Sequence, residues 1–177
     1  MFHLDNVKQI IPKCRRLHIK ENCSKELTKM AFLKLAPMAE KVEVRKNIFD
    51  SETDISKFLA LNLNSVSFND WRKPFELELN DLLVANIGNL SIQTANITEK
   101  KLNRFLKLWM KGNHTFYRPK SIELSFRNEM NREEVFKGIK CEAVPDDEYW
   151  GILKRRDGKK LIILPAGNFI LIKFQRT

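Results

Sequence analysis

The sequence predicts an α/β fold in which short parallel strands recur along the chain and alternate with helices. Two patterns support this prediction. A four-residue pattern with apolar first and third positions occurs five times, and amphipathic helix patterns lie between successive copies. After residue 138 the helix patterns stop, and strand patterns separated by turn residues follow. These later strands predict an antiparallel C-terminal part.

The five copies of the pattern fit short strands with one buried face, because strand side chains alternate between two sides. They begin 25, 24, 24 and 32 residues apart, a spacing in the range of leucine-rich repeats. We therefore predict a degenerate leucine-rich-repeat-like solenoid of about five β–α units. An ordinary α/β domain with evenly spaced strands is the alternative. The copies are Leu17–Lys20, Val42–Arg45, Val66–Asn69, Leu90–Gln93 and Ile122–Ser125.

The clearest helix pattern runs from Thr98 to Lys111, with Thr98 as a cap and Gly112 as the residue that ends it. Weaker helix patterns cover residues 24–35, 51–61, 80–87 and 131–137. In the first of these, Leu27, Met30, Ala31 and Leu35 are expected to face the core.

The chain is expected to form two parts, a repeat array over residues 1–138 and a β-hairpin or meander cap over residues 139–177. Asp157-Gly158 is a strong hairpin signal within the cap. Residues 4–11 fit the helix of a unit whose preceding strand is absent. Either residues 1–12 form an improvised cap, or the sequence is the C-terminal part of a longer architecture.

The formal net charge of +10 makes a basic nucleic-acid-binding protein the alternative function. The basic excess is not continuous, because residues 51–98 carry 3 basic and 6 acidic side chains. The cations of the 98–111 helix and the run Lys154-Arg155-Arg156 fit solvated surfaces. No nucleic-acid-binding motif is present, so nucleic acid is disfavoured as a partner.

The sequence lacks the motifs of common enzyme families, and its three cysteines and three histidines are scattered. We therefore predict no enzyme activity, no metal and no cofactor. No stretch approaches the ~20 apolar residues of a membrane span, and the N-terminus has no signal-peptide pattern. An intracellular protein, in the cytoplasm or the nucleus and without a membrane partner, is expected.

The segment from Ile97 to Gly112, ITEKKLNRFLKLWMKG, resembles the I-T-x-x-x-L-N-x-F-L-K-x-W-x-x-G hallmark of the nematode F-box-associated domain, type 2. The resemblance covers most of the chain and is sharpest over about residues 60–177. It implies a domain that follows an F-box, which docks on the Skp1 adaptor of a cullin-based ubiquitin ligase. Residues 1–16 are too few for an F-box, so Skp1 and cullin are expected partners only for a longer product. The structural motif positions are Thr98, Leu102, Phe105, Trp109 and Gly112.

The predicted function is a non-catalytic protein-interaction module that resembles the substrate-receptor part of an SCF-type ubiquitin ligase. Its target protein is expected to bind the outward strand face, which is concave in a solenoid. Trp71, in the loop after the third strand, is a candidate aromatic anchor, with core packing as the alternative. Trp109 and Trp150 are expected to pack internally. The predicted partner-binding residues are His18, Lys20, Glu43, Arg45, Ser67, Asn69, Ser91, Gln93, Glu123 and Ser125.

Overall fold

The computed structural model describes residues 13–49, 52–112, 118–144 and 147–175. The predicted helix at residues 4–11, the suggested cap at residues 1–12 and the side chain of Trp150 lie outside the described part of the chain. The elements, in chain order, are β1 (Cys14–Ile19), α1 (Lys25–Leu35), a 3₁₀ turn (Ala36–Met38), β2 (Ala39–Val44), α2 (Glu52–Leu59), β3 (Leu63–Phe68), β4 (Phe75–Glu76), α3 (Leu79–Val84), β5 (Ile87–Ile92), β6 (Ala95–Asn96), α4 (Glu99–Lys111), β7 (Ser121–Ser125), α5 (Arg132–Phe136), β8 (Glu142–Val144), β9 (Asp147–Lys154), β10 (Lys160–Ala166) and β11 (Phe169–Gln175).

A nine-stranded mixed sheet, ordered β1-β2-β3-β5-β7-β11-β10-β9-β8, organises the fold. Its first five strands are parallel neighbours in chain order, and the remaining pairs are antiparallel. The short strands β4 and β6 form a separate parallel pair. The predicted α/β class is confirmed, and parallel strands precede antiparallel strands along the chain as predicted. The sheet is continuous across residues 138–139, and a domain boundary there stays a prediction.

Two rows of apolar residues run across the parallel strands in direct register. The helices pack on this inner face, where the Phe32 ring of α1 lies 5.8 Å from the ring of Phe68. Burial of these rows is the main hydrophobic contribution of the sheet. The first row is Leu17, Val42, Val66, Leu90 and Ile122, and the second is Ile19, Val44, Phe68, Ile92 and Leu124.

The first four parallel strands begin about three residues before the predicted positions and end one residue earlier. Lys20, Arg45, Asn69 and Gln93 therefore follow their strands instead of lying within them. Backbone bonds still continue the ladder, because the amide of Asn69 donates to the Val44 carbonyl at 2.9 Å. The four-residue alternation covers only the C-terminal halves of these strands.

Helix α4 matches its prediction at both ends and on its buried face. The Thr98 hydroxyl accepts a hydrogen bond from the Lys101 amide at 3.3 Å. Gly112 adopts φ 74°, and its amide bonds to the Trp109 carbonyl at 3.0 Å. The buried residues of the helix are Leu102, Phe105, Leu106 and Trp109.

The buried face of α1 differs from the prediction. Leu27 and Met30 are 44% and 43% exposed, whereas Thr28 and Phe32 are fully buried. A cluster of phenylalanine rings decides this orientation, since Phe32 packs 5.2 Å from the ring of Phe58. Ring contacts across several elements outweigh the burial of Leu27 and Met30 on this helix.

A buried carboxylate and a neighbouring salt bridge link three successive helices. Asp81 of α3 is 1% exposed and accepts hydrogen bonds from the Ser56 hydroxyl of α2 and from the Glu78 amide. Burial raises the pKa of this carboxyl. Glu78, at the start of α3, forms a salt bridge with Lys101 of α4. Successive helices are therefore linked by polar contacts as well as by the core.

The β9–β10 hairpin corrects one expectation about the basic run at residues 154–156. The Asp157-Gly158 turn forms as predicted, with Gly158 at φ 86°. Arg155 is not solvated, because it is only 8% exposed and its guanidinium lies 5.7 Å from the Trp109 ring centroid. It also hydrogen-bonds Asp157, which lowers the pKa of that carboxyl to about 2. The run thus contains a cation that anchors the hairpin on α4.

Replacing Thr98 with alanine is expected to cost about 1 kcal/mol in the free energy of unfolding, because the Lys101 amide loses its acceptor. Thr98→Ser keeps a hydroxyl and should lie close to wild type. Urea unfolding followed by circular dichroism measures both variants. Equal stability of Thr98→Ala and wild type would contradict the capping role.

Asp157→Asn should destabilise the protein at neutral pH, because the charged hydrogen bond to Arg155 is lost. The folded-state pKa of about 2 lies below the ordinary value of 3.8. The contribution of Asp157 is therefore present above pH 3.8 and is lost as the pH falls through about 2. Unfolding midpoints measured over this pH range should converge for wild type and variant, and a constant difference would argue against the pair.

Candidate interaction surface

The outer face of the sheet, opposite the two apolar rows, carries a row of polar side chains across the parallel strands. Five of the ten predicted binding residues form this row in direct register. Strand alternation therefore places them together although they come from five separate units. They are His18, Glu43, Ser67, Ser91 and Glu123.

The other five predicted residues lie at the C-terminal ends of the same strands. Four of them follow β1, β2, β3 and β5 directly, and Ser125 is the last residue of β7. All ten therefore border one edge of the outer face. The four that follow their strands are Lys20, Arg45, Asn69 and Gln93.

Another row of the outer face was missed in the sequence. It lies two positions earlier on each strand, where Ser65 pairs with Asn89 and Asn89 with Ser121. The Ser121 hydroxyl and the Asn89 side-chain oxygen are 3.0 Å apart. Extending the alternation two residues upstream from each apolar pair would have found this row.

The charges on this face partly neutralise one another. Glu43 lies between Arg45 and His18, with its carboxylate 2.7 Å from Arg45 Nε and 3.1 Å from His18 Nδ1. The hydrogen bond from Arg45 lowers the pKa of Glu43, against a smaller opposing effect of burial. Arg45 therefore presents a paired charge to any ligand.

An open depression of about 510 Å³ lies beside this edge of the outer face. Trp71 is 75% exposed there, so the alternative that it packs in the core is wrong. The side-chain oxygen of Asn69 is buried and has no hydrogen-bond partner in the described structure. The depression is lined by Glu21, Arg45, Asn69, Asp70, Trp71 and Arg72.

The loop that carries Trp71 is held from within by the Asp70 carboxylate. This carboxylate accepts hydrogen bonds from the amides of Asn47 at 2.7 Å, Arg72 at 2.8 Å and Lys73 at 3.2 Å. Burial alone would raise the pKa of Asp70, but the three amide bonds and the Arg72 charge outweigh it and lower the pKa. The loop thus closes around an ionised side chain.

Two longer-range contacts fix the same loop from outside. The Arg127 guanidinium donates to the carbonyls of Trp71 and Arg72 at 2.9 and 3.0 Å. The Thr94 hydroxyl, on a residue with φ 58°, donates to the Asp70 carbonyl at 2.7 Å. An exposed tryptophan on a backbone held in this way loses little conformational entropy when it binds.

An asparagine is the third residue after each of the first two strands, but only one of the two is buried. Asn47 is 5% exposed, and its side-chain amide donates to the Pro74 carbonyl at 2.7 Å. Asn22, at the equivalent position of the first unit, is exposed. Asn47 therefore supports the end of the Trp71 loop.

Within the described residues, no group of three or more His, Cys, Asp or Glu side chains could hold a metal ion. No described helix is both long and apolar enough to cross a membrane. The features that stand out are an α/β scaffold with an aligned polar face and an exposed aromatic side chain on a braced loop. Such a surface is typical of a protein that binds other macromolecules.

Comparison with known proteins supports this class. Residues 54–115 match a family model described as F-box associated. The F-box associated domain-containing protein sdz-33 of Caenorhabditis elegans is 24% identical over 170 residues, covering 92% of this chain and 52% of that protein. The chain thus spans about half the length of this curated relative. No solved structure matches the chain.

The resemblance to the F-box-associated domain is therefore confirmed. The matched segment runs from α2 through α4 and includes Trp71 together with the whole Thr98–Gly112 motif. The motif residues form the cap, the buried face and the end of α4, so their role in the structure is to fix this helix.

Replacing Asp70 with alanine should loosen the Trp71 loop, because three amides lose their acceptor. Hydrogen exchange at Asn47, Arg72 and Lys73 is the measurement, and we expect exchange at least about tenfold faster, which corresponds to a loss of roughly 1.4 kcal/mol in local stability. Glu76→Ala removes a nearby carboxylate that bonds Asn96 instead, and it serves as the matched control. Unchanged exchange in Asp70→Ala would show that the loop is held by other contacts.

Proposed function

We propose that this chain is a non-catalytic protein-interaction module that captures a target protein, as the substrate receptor of an SCF-type ubiquitin ligase does. The observation that carries the proposal is the exposure of Trp71 on a braced loop beside an aligned polar face. The segment that matches the F-box associated family model, residues 54–115, includes this loop.

Trp71 has the properties of a binding anchor. Exposure of 75% of a large apolar side chain is unfavourable in water, and a partner would cover it. Tryptophan is among the residues most enriched at the energetic centres of protein interfaces. Because Asp70 and Arg127 hold the backbone on both sides, the ring is already positioned for contact.

The polar groups around Trp71 favour a protein partner. Asn69 and Arg45 line the depression beside the ring and add an amide and a charged group to the surface. Ser67 and Ser91, in the centre of the aligned row, are small and allow close approach. A mixture of small polar, charged and aromatic side chains is typical of protein interfaces.

A repeat architecture with a concave outer face is also part of the proposal. The parallel strands follow one another in chain order and repeat their apolar pairs 24 or 25 residues apart in the first four units. This arrangement supports a degenerate leucine-rich-repeat-like array whose outer face is concave. Concave faces of such arrays are the usual binding surfaces of repeat proteins.

A role in ubiquitin-dependent degradation would depend on an F-box in a longer product. The curated relative, about half of which this chain spans, is named for its F-box associated domain. We propose that Skp1 and cullin join only through such an F-box, and that this part contributes target binding. The cytoplasm or nucleus is the expected location, because ubiquitin ligases of this type act there.

Affinity capture from a nematode lysate, followed by quantitative mass spectrometry, tests the proposal. Trp71→Ala should reduce recovery of a specific target about tenfold or more, a loss of roughly 1.4 kcal/mol that is common for an interface anchor. Leu33→Ala, at another residue that is 50% exposed, is the matched control and should leave recovery unchanged. Once the target is known, Arg45→Glu and Asn69→Arg should weaken its binding to the purified chain.

Three results would overturn parts of this proposal. Equal recovery by Trp71→Ala and wild type would place the binding surface elsewhere. Recovery of Skp1 by this chain alone would refute the need for an F-box. Capture that disappears after nuclease treatment and falls steeply with salt would favour the nucleic-acid alternative. Circular dichroism of each variant confirms that folding is intact.

A further inference from the structure

A second depression, of about 570 Å³, lies where α4 meets the turn after α5 and the turn of the β9–β10 hairpin. None of its lining residues belongs to the outer face or to the Trp71 loop. They are Lys107, Met110, Lys111, Gly138, Ile139 and Arg156.

The rim of this depression is positively charged. Three of the six lining residues are cations, and none of those described is acidic. Lys107, Lys111 and Arg156 form no salt bridge with a described residue, whereas the nearby Lys137 and Lys154 pair with glutamates. The three cations at this rim are therefore not neutralised by a described carboxylate.

The fold brings two of these cations beside the turns that border the depression. Arg155 is buried against Trp109 and bonded to Asp157, which fixes the hairpin turn and with it the adjacent Arg156. Gly138 has φ 69°, and a Cβ placed there would lie 3.5 Å from Lys107 Nζ. The Lys107 ammonium thus lies over the turn that follows α5.

The floor between the cations is apolar. Met110 and Ile139 are half-buried and pack against the core. A methionine side chain is flexible and polarizable, so it adapts to different apolar groups. The depression therefore combines an adaptable apolar floor with a rim that attracts carboxylates.

We propose that this depression binds an acidic peptide segment in which carboxylates flank an apolar side chain. The apolar side chain would contact Met110 and Ile139, and the carboxylates would face Lys107, Lys111 and Arg156. A single-stranded nucleic acid fits less well, because no described lining residue is aromatic, and aromatic side chains are the usual platforms on which bases stack. This site is separate from the Trp71 surface, and its test does not depend on the proposed function.

The probe is a short fluorescent peptide of glutamates around one leucine, titrated with the whole purified chain and followed by fluorescence anisotropy. The double variant Lys107→Glu/Lys111→Glu should weaken binding at least about tenfold, and Arg156→Glu should weaken it severalfold. Lys100→Glu is the matched control, because it reverses an exposed charge on the same helix outside the depression. It should change the affinity less than about twofold.

The peptide itself supplies the second comparison. Replacing its leucine with serine should weaken binding about tenfold, because the contact with the apolar floor is lost. The proposal is overturned if wild type does not bind the peptide, if Lys100→Glu weakens binding as much as the double variant, or if the serine peptide binds equally well. Tighter binding of a single-stranded oligonucleotide, lost in the same variants, would also overturn it.

Discussion

The register of the parallel strands is the constraint on which the rest of the structure depends. Each strand places two apolar side chains on the inner face, and a shift by one residue would turn them to solvent. The same requirement aligns the polar residues between and beyond them. The packing of the core is therefore sufficient to align the row from His18 to Glu123 across five strands. The candidate binding face is a consequence of how the core is packed.

The exposure of Trp71 depends on contacts that begin in other units. Asp70 holds the loop only because the Asn47 amide and two amides of its own loop converge on its carboxylate. Arg127, 56 positions from Trp71, holds the loop carbonyls. Residues after β2, β3 and β7 thus cooperate to present one side chain. This dependence explains how a loop with an exposed aromatic tip can be well ordered without burying the tip.

Local patterns were sufficient for the strands and for α4, since Thr98 and Gly112 mark its ends and its apolar stripe is regular. They were insufficient where packing between residues far apart in the sequence determines which side chains are buried. The orientation of α1 follows from the rings that surround Phe32, and its exposed leucine and methionine were indistinguishable from core residues. Arg155 was assigned to solvent because burial against Trp109 cannot be inferred from a run of three cations. The exposure of Trp71 could not be decided either, because its neighbours in the sequence are compatible with both a core position and a loop tip.

The order of strands in the sheet has a consequence for synthesis. Strand β11, the last described strand in the chain, lies in the interior of the sheet between β7 and β10. A ribosome must therefore deliver residues through Gln175 before the parallel and antiparallel parts can join. Until then β7 has one unpaired edge, which can recruit a strand from another molecule. The growing chain therefore carries an open β7 edge until β11 emerges, and a premature stop in β11 would leave that edge open for the lifetime of the product.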